Sequence, residues 1–248
     1  MYSKLTLFGK GHSGKTTTLR YLAYLLFKHN NRDLKQIIYL NDKVYHVINA
    51  PFTTIPACFT KHRNDFKIIL IYNNKPMIKS RGMVETNSTQ RGYSVCICTA
   101  GDDQNTILAN WKFASYHKTI KAQDDNTKKI IIMKIEEPNI FVSPCRTNGL
   151  TFIEEQNQQR MRTNPSINSG NKPINLHYWI RKGIDGPFKN LVGNTSLDKE
   201  VYEEALEKKI LYPTIKKGPM VLTPAQHRFN AQLATLMEEK IYELANLL

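Results

Sequence analysis

The chain has 248 residues, of which 41% are hydrophobic, and its 35 lysine and arginine residues against 21 acidic residues give a formal net charge of +14. This length and apolar content suit one α/β domain with an extension, or two small domains, and they provide enough apolar surface for a buried core. No apolar run approaches the ~20 residues of a membrane-spanning helix, so no membrane partner is expected.

The first predicted elements are a short strand, a glycine-rich loop and a helix. "KLTLF" (residues 4–8) alternates apolar and polar positions, as a strand does, and "GKGHSG" (residues 9–14) follows directly. From Lys15 onward the apolar residues have helical spacing, at Leu19, Leu22, Ala23, Leu25 and Leu26. Backbone N–H groups of the loop and the positive end of the helix dipole would face one point, so we expect an anion site there.

This loop contains the complete Walker A pattern, Gly9-x-x-x-x-Gly14-Lys15-Thr16. In that motif the lysine contacts the β- and γ-phosphates of a nucleotide, and the threonine hydroxyl binds Mg²⁺. An ordinary glycine turn before a helix is the structural alternative. We therefore predict a nucleotide site formed by Gly11, His12, Ser13, Gly14, Lys15, Thr16 and Thr17.

The segment resembles the P-loop NTPase superfamily. "KGHSGKTTT" is also similar to the variant P-loop of the partition and division-site ATPases, Lys-Gly-Gly-x-Gly-Lys-Thr-Thr-Thr, over about ten residues. That resemblance implies that Lys10 reaches a partner's nucleotide across a dimer, whereas the alternative is a solvent-facing loop lysine. His12 stands where that family has a glycine, and the later acidic residue followed by two prolines is absent. The superfamily implies a three-layer α/β fold with a mainly parallel sheet.

A second informative stretch is "YSVCICTAGDD" (residues 93–103). An apolar strand that ends in an acid is typical of a Walker B element, whose carboxylate holds Mg²⁺ opposite the P-loop threonine. Here Thr99-Ala100-Gly101 intervene before Asp102 and Asp103. We assign the metal to Thr16 and Asp102, with Asp103 as the open alternative. The other aspartate would be the N-cap of the helix indicated by "DDQNTILANWKFASYH".

Two continuous apolar runs, "KKIIIMKI" (128–135) and "NIFVSPC" (139–145), are typical of strands covered on both faces. If residues 4–8, 95–98 and 139–143 form parallel neighbours, then Lys15, the two aspartates and Arg146 project toward one sheet edge, where α/β proteins bind ligands. We therefore predict a catalytic group of Lys15, Asp102, Asp103 and Arg146. Arg146 would contact the γ-phosphate, and a surface salt bridge is its alternative role.

The C-terminal part begins with a polar segment, residues 155–173, which carries Arg160 and Arg162. It is predicted to be either a linker or a lid that orders over bound phosphates. A helix follows that begins at Ser196 or Asp198, and then a final helix with Thr223 as N-cap and proline at its first position. The final helix repeats apolar residues on one face, which either packs on the nucleotide domain or forms a homodimer or partner interface: Phe229, Leu233, Leu236, Ile241 and Leu244.

These elements predict a nucleotide-binding domain over residues 1–154, the linker or lid over 155–173, and a partly helical extension over 174–248. We expect a Mg²⁺-dependent ATP-binding protein, with ATP preferred because the guanine-reading pattern Asn-Lys-x-Asp is absent. Three classes stay open: an ATPase that switches conformation or drives a partner, a small-molecule or nucleotide kinase, and a nucleic-acid-associated ATPase suggested by the charge.

A cytoplasmic location is expected on two grounds. The glycine-rich loop begins before the apolar region of a signal peptide could end. The four cysteines lack the spacing of a metal site and are expected to be reduced: Cys58, Cys96, Cys98 and Cys145. Cys96 and Cys98 lie inside an apolar run and are expected to be packed.

Overall fold

The structure is a computed structural model that describes residues 3–9, 14–60, 66–75, 92–100, 106, 109–110, 113–114, 118–145, 175–181, 195–211 and 223–247. Its strands are β1 Ser3–Gly9, β2 Leu34–Asn41, β3 Val44–Asn49, β4 Lys67–Tyr72, β5 Tyr93–Cys98, β6 Lys118–Asp124, β7 Ile130–Ile135, β8 Ile140–Cys145 and β9 Asn175–Arg181. Its helices are α1 Lys15–His29, α2 Ala57–Thr60, α3 Lys199–Glu207 and α4 Pro224–Asn246. Within these ranges no helix has both the length and the apolar character needed to cross a membrane.

All nine strands form one mixed sheet in the order β7-β6-β3-β2-β4-β5-β8-β1-β9. The strands β5, β8, β1 and β9 are parallel neighbours, and β3 pairs parallel with β6. The other four pairings are antiparallel. The α/β class is therefore confirmed, whereas the expectation of a mainly parallel sheet holds only for the four strands around β1.

Short connections explain two of the antiparallel pairings, β2 with β3 and β6 with β7. Only Asp42 and Lys43 join β2 to β3, and both have positive φ, 46° and 68°. A two-residue turn of this kind returns the chain directly alongside itself, because a parallel neighbour would need a crossover of a dozen or more residues. A strand was expected at residues 35–40, where β2 lies, but the sequence between β2 and β3 carries no strong hairpin dipeptide and β3 was not expected.

The core lies on both faces of the sheet. On one face, α1 packs against the sheet and against α4, and the largest apolar cluster contains residues of all three. On the opposite face, Phe113 and Ala114, which are helical, pack on the inward side chains of β3, β4, β5 and β8. β9 also pairs with β1, so the C-terminal part of the chain shares the sheet and the core of the N-terminal part.

The helix starts expected in the C-terminal part are confirmed. Asp198 caps α3 by accepting a hydrogen bond from the backbone N–H of Val201 at 3.1 Å. Thr223 caps α4 in a reciprocal capping box with Gln226, and a proline occupies the first turn. The apolar face of α4 is buried in the chain's own core, as the first of the two alternatives for that helix required.

The two apolar runs at residues 128–135 and 139–145 differ in their surroundings. β8 is buried as expected, with Ile140 and Val142 fully inaccessible. β7 lies at the edge of the sheet, where the side chains of Ile130 and Ile132 are 66% and 71% exposed. The prediction that the first run is covered on both faces is therefore wrong. The strand has a neighbour on one side only, and one of its faces has no layer above it among the residues that the structure describes.

Candidate functional site

The start of α1 has the geometry that the glycine-rich motif predicts. Gly14 has φ 85° and ψ 14°, a left-handed conformation that glycine adopts at little cost, and it immediately precedes the first helical residue, Lys15. The carbonyl of Gly14 accepts two hydrogen bonds from Thr18, one from its backbone N–H at 2.9 Å and one from its hydroxyl at 3.1 Å. The first turn of the helix is thus fixed onto Gly14. Lys10, Gly11, His12 and Ser13 lie outside the described residues.

No acidic residue occupies the first turn of α1, so its own sequence does not neutralise the positive end of the helix dipole. The side chain of Lys15 is 6% exposed, and Thr17 is buried beside it, whereas Thr16 is partly exposed. A helix N-terminus without an acidic residue in its first turn favours a negative charge at this point.

The hydroxyl of Thr16 lies at the end of the strand that was predicted to carry the acid. Its Oγ1 donates a hydrogen bond to the carbonyl of Thr99 at 3.2 Å, and Thr99 immediately follows β5. Thr99 is itself fixed to the chain before β4, because Phe66 donates its N–H to the Thr99 hydroxyl at 2.8 Å and accepts the Thr99 N–H at 3.1 Å. The predicted metal-binding hydroxyl and the predicted acid-bearing strand therefore meet.

The residues beyond that strand end are only partly described. Asp102 and Asp103 lie outside the described residues, and so does Arg146, which follows β8. The described residues of the predicted helix after the aspartates, 106, 109–110 and 113–114, are helical. Asn110 in this helix donates from Nδ2 to the carbonyl of Ala100 at 2.5 Å, which ties the helix to the end of β5.

The strand directions bring to one edge the ends of the strands that precede the predicted residues. β8 lies between β1 and β5, and it pairs parallel with both, with Ile140 opposite Ser3 on one side and Val95 on the other. The carboxyl ends of all three strands therefore point to the edge at which α1 begins. Open α/β sheets bind ligands outside the carboxyl ends of their parallel strands, which is this edge. The strand that leads to Arg146 is central in this group.

Asn230 of α4 is a site residue that the sequence did not identify. A Cβ added at Gly14 would stand 3.0 Å from both Nδ2 and Oδ1 of Asn230, so this amide fills the space where a side chain at position 14 would lie. Asn230 is fully buried, and His227, one turn earlier, is nearly so. Burial lowers the pKa of His227, which favours the neutral imidazole. The sequence did contain one indication of their burial, because His227 and Asn230 lie at helical spacing from the apolar residues on the buried face of α4.

Among the described residues, no group of three or more histidine, cysteine, aspartate or glutamate side chains is arranged to hold a metal ion. Comparisons with protein-family models, with curated proteins and with solved structures found no match for the chain. The function proposed below therefore rests on the residues and geometry of this chain.

Proposed function

We propose that this chain is a Mg²⁺-dependent ATP-binding protein of the P-loop type, with the three-layer fold of that superfamily, which hydrolyses ATP to switch conformation or to drive a partner. One observation carries the proposal: α1 begins at Lys15 directly after a left-handed Gly14, and its Thr16 hydroxyl reaches the end of β5. The proposal also keeps the expected cytoplasmic location, because Cys58 and Cys98 are free thiols and are buried.

The hydroxyl oxygen of Thr16 is suited to bind a magnesium ion. A hydroxyl has one hydrogen and two lone pairs, and the hydrogen of Thr16 is used by the Thr99 carbonyl. The lone pairs of its oxygen are then available to a hard cation, with Asp102 as the second protein ligand. Bound Mg²⁺ would neutralise charge on the β- and γ-phosphate oxygens.

The remaining roles follow from charge and position. The backbone N–H groups of residues 11–16 would surround the phosphate oxygens, and Lys15 would bind the β- and γ-phosphates. Arg146, after the central strand β8, would stabilise charge on the γ-phosphate. Each of these groups acts by holding the phosphates in place and by stabilising charge, which is how proteins accelerate phosphoryl transfer.

A nucleic-acid-associated ATPase is the second candidate, and the formal net charge of +14 favours it. This candidate uses the same nucleotide site as the first one. The two candidates differ only in whether nucleic acid stimulates ATP turnover. ATP turnover measured with a metabolite panel and with DNA or RNA, by both phosphate release and phosphoryl transfer, separates the candidates. Stimulation by nucleic acid that falls steeply with salt supports the second, and transfer to a metabolite supports a kinase.

The direct test of the nucleotide site is calorimetric titration with Mg-ATP. Lys15→Ala and the volume-preserving Lys15→Met should each weaken binding by about 100-fold, because both remove a charge-assisted contact to phosphate. The control is Lys35→Ala, at an exposed lysine on β2, which should bind as the parent does. Unchanged affinity in both Lys15 variants would refute the P-loop assignment.

A further inference from the structure

A buried amide at the carboxyl end of β5 has one polar atom that the described part of the chain does not satisfy. Asn110, in the helical segment that follows this strand, is 1% exposed. Its Nδ2 donates a hydrogen bond to the carbonyl of Ala100, whereas its Oδ1 is buried and accepts no hydrogen bond. Among the asparagine and glutamine side chains that the structure describes, this is the only buried amide oxygen without a donor.

The orientation of the Asn110 amide is determined by the carbonyl of Ala100. A main-chain carbonyl accepts hydrogen bonds and cannot donate one, so the atom that lies against it must be the NH₂ group. Rotating the amide by 180° would bring two acceptors into contact. The oxygen is therefore the atom that is left for another partner.

A buried acceptor without a donor is unfavourable, because it has given up its hydrogen bonds to water and gained none in the protein. Nearly all buried polar groups in native proteins are satisfied, and an exception calls for a bound ion, ligand or water. For an amide oxygen the partner must be either a hydrogen-bond donor or a cation.

Asn110 is attached to the same strand end as the hydroxyl of Thr16. Thr16 donates to the carbonyl of Thr99 at 3.2 Å, and Asn110 donates to the carbonyl of Ala100, the next residue along the chain. Consecutive Cα atoms are about 3.8 Å apart, so the two side chains are fixed at neighbouring peptide groups. The unsatisfied oxygen therefore lies at the edge of the sheet where the proposed metal ion would bind.

The oxygen atoms at this strand end suit a hydrated magnesium ion. Mg²⁺ takes oxygen ligands and keeps several of its water molecules when it binds to a protein. Those water molecules are hydrogen-bond donors, and the charge of the ion strengthens the bonds they donate. An amide oxygen can accept such a bond, while Thr16 and Asp102 remain the protein ligands proposed for the ion itself.

An amide at the opposite end of β5 has a structural role and provides a comparison. Oδ1 of Asn139 accepts hydrogen bonds from the N–H of Ser94 at 2.8 Å and from its hydroxyl at 3.2 Å. Asn139 directly precedes β8, so its oxygen connects two strands at the edge away from the start of α1. Asn110 connects its helix to β5 through its nitrogen alone, and its oxygen has no part in that connection.

We propose that Oδ1 of Asn110 accepts a hydrogen bond from a water molecule bound to the magnesium ion of the nucleotide complex, an inference that rests on the nucleotide site proposed above. Asn110 acts through that water and is therefore a positioning residue, which holds the hydrated ion beside the hydroxyl of Thr16. The competing explanation is a fixed water without a metal. In that case the stability of the chain would depend on the amide oxygen, but the effect of Mg²⁺ on ATP binding would not.

Calorimetric titration of the full-length chain with ATP, once with Mg²⁺ and once with EDTA, tests this role. The ratio of the two affinities measures how much the metal contributes to binding. Asn110→Ala should lower this ratio by about tenfold, because partners of this kind typically change metal affinity by 10–100-fold. Asn139→Ala is the matched control: it should lower the urea midpoint of unfolding and leave the ratio unchanged.

Asn110→Asp separates the metal role from a structural one. It keeps an oxygen for the hydrated ion, so its ratio should equal or exceed that of the parent. It also places a carboxylate oxygen against the carbonyl of Ala100, so its urea midpoint should lie below that of Asn110→Ala. The two variants should therefore rank in opposite orders in metal dependence and in stability.

The outcomes distinguish this inference from the proposed function. If the parent binds Mg-ATP but Asn110→Ala lowers the ratio no more than Asn139→Ala does, the inference is wrong and the nucleotide site stands. A ratio in Asn110→Asp that is tenfold below that of the parent would overturn the inference as well, even if Asn110→Ala does not fold. A parent chain that binds no Mg-ATP would refute both the inference and the proposed function.

Discussion

Replacing Gly14 with alanine tests the contact between the start of α1 and α4. The left-handed conformation costs an L-residue about 1 kcal/mol or more. The new Cβ would also stand 3.0 Å from both polar atoms of the Asn230 amide, which is fully buried and cannot move into solvent. Displacing a packed side chain costs about 1–3 kcal/mol, so Gly14→Ala should lower the free energy of unfolding by roughly 2–4 kcal/mol.

The same change should cost less when the amide is absent. Asn230→Ala by itself should destabilise the chain by about 1–3 kcal/mol, because buried groups that interact with the amide lose their partner. In that background Gly14→Ala meets free space, and its cost should fall to the backbone term of about 1 kcal/mol. The coupling between the two substitutions is therefore expected to be about 1–3 kcal/mol.

Urea unfolding of the four proteins of this cycle, followed by circular dichroism, measures the coupling. Gly92→Ala is the control glycine: its Cβ would stand 2.3 Å from the Tyr72 carbonyl, a backbone atom with no link to Asn230. Its cost should be large and equal in both backgrounds, because sites without shared partners are additive. Equal costs of Gly14→Ala with and without Asn230 would refute the close approach of this amide to the loop.

Three further outcomes are expected. Thr223→Ala should lower the unfolding free energy by about 1 kcal/mol through loss of the α4 capping box, whereas Thr54→Ala, at an exposed loop position, should have little effect. The pKa of His29 is raised above 6.5, mainly by its hydrogen bond to Glu238 and further by Asp198. The stabilising effect of protonated His29 is complete below about pH 6.5 and is lost as pH rises through the folded pKa. The urea midpoint of the parent should therefore fall as pH increases, and the midpoint of His29→Gln should fall by a smaller amount. Thr16→Ala should abolish the Mg²⁺ dependence of ATP binding in calorimetry, and Thr16→Ser should retain it.

Local signals in the sequence were sufficient to predict the local structure. The strand–glycine–helix order at residues 4–26 depends on periodicity and on a residue that tolerates positive φ, and both are properties of neighbouring residues. The caps at Asp198 and Thr223 also depend on side chains within three residues of the helix start. The parallel arrangement of β1, β8 and β5 was considered as a condition in the sequence analysis, and the strand pairings confirm it.

Features that depend on distant neighbours could not be predicted in this way. The isoleucines of β7 and the apolar residues of β8 look alike in sequence, but β7 has a short hairpin to β6 and lies at an edge, whereas β8 lies between two parallel strands. Burial of a strand is decided by what packs on it, and its composition is only a weak guide. Asn230 is a similar case, because nothing near it in sequence indicates that it contacts a glycine 216 positions earlier in the chain.

α4 contacts both ends of α1. A helix from the C-terminal part of the chain therefore helps to hold the proposed site near the N-terminus in place. At the start of α1, Asn230 lies against Gly14. At the end of α1, His29 donates a hydrogen bond from Nδ1 to the carboxylate of Glu238 at 2.9 Å, and the same carboxylate accepts a hydrogen bond from the hydroxyl of Tyr242 at 2.5 Å. A helix held at two points cannot tilt without moving its neighbour. A phosphate site formed by the first turn of α1 needs that rigidity, because N–H groups stabilise charge best when they are already in place. The precision of the proposed site therefore depends on α4, although none of the motif residues lies in that helix.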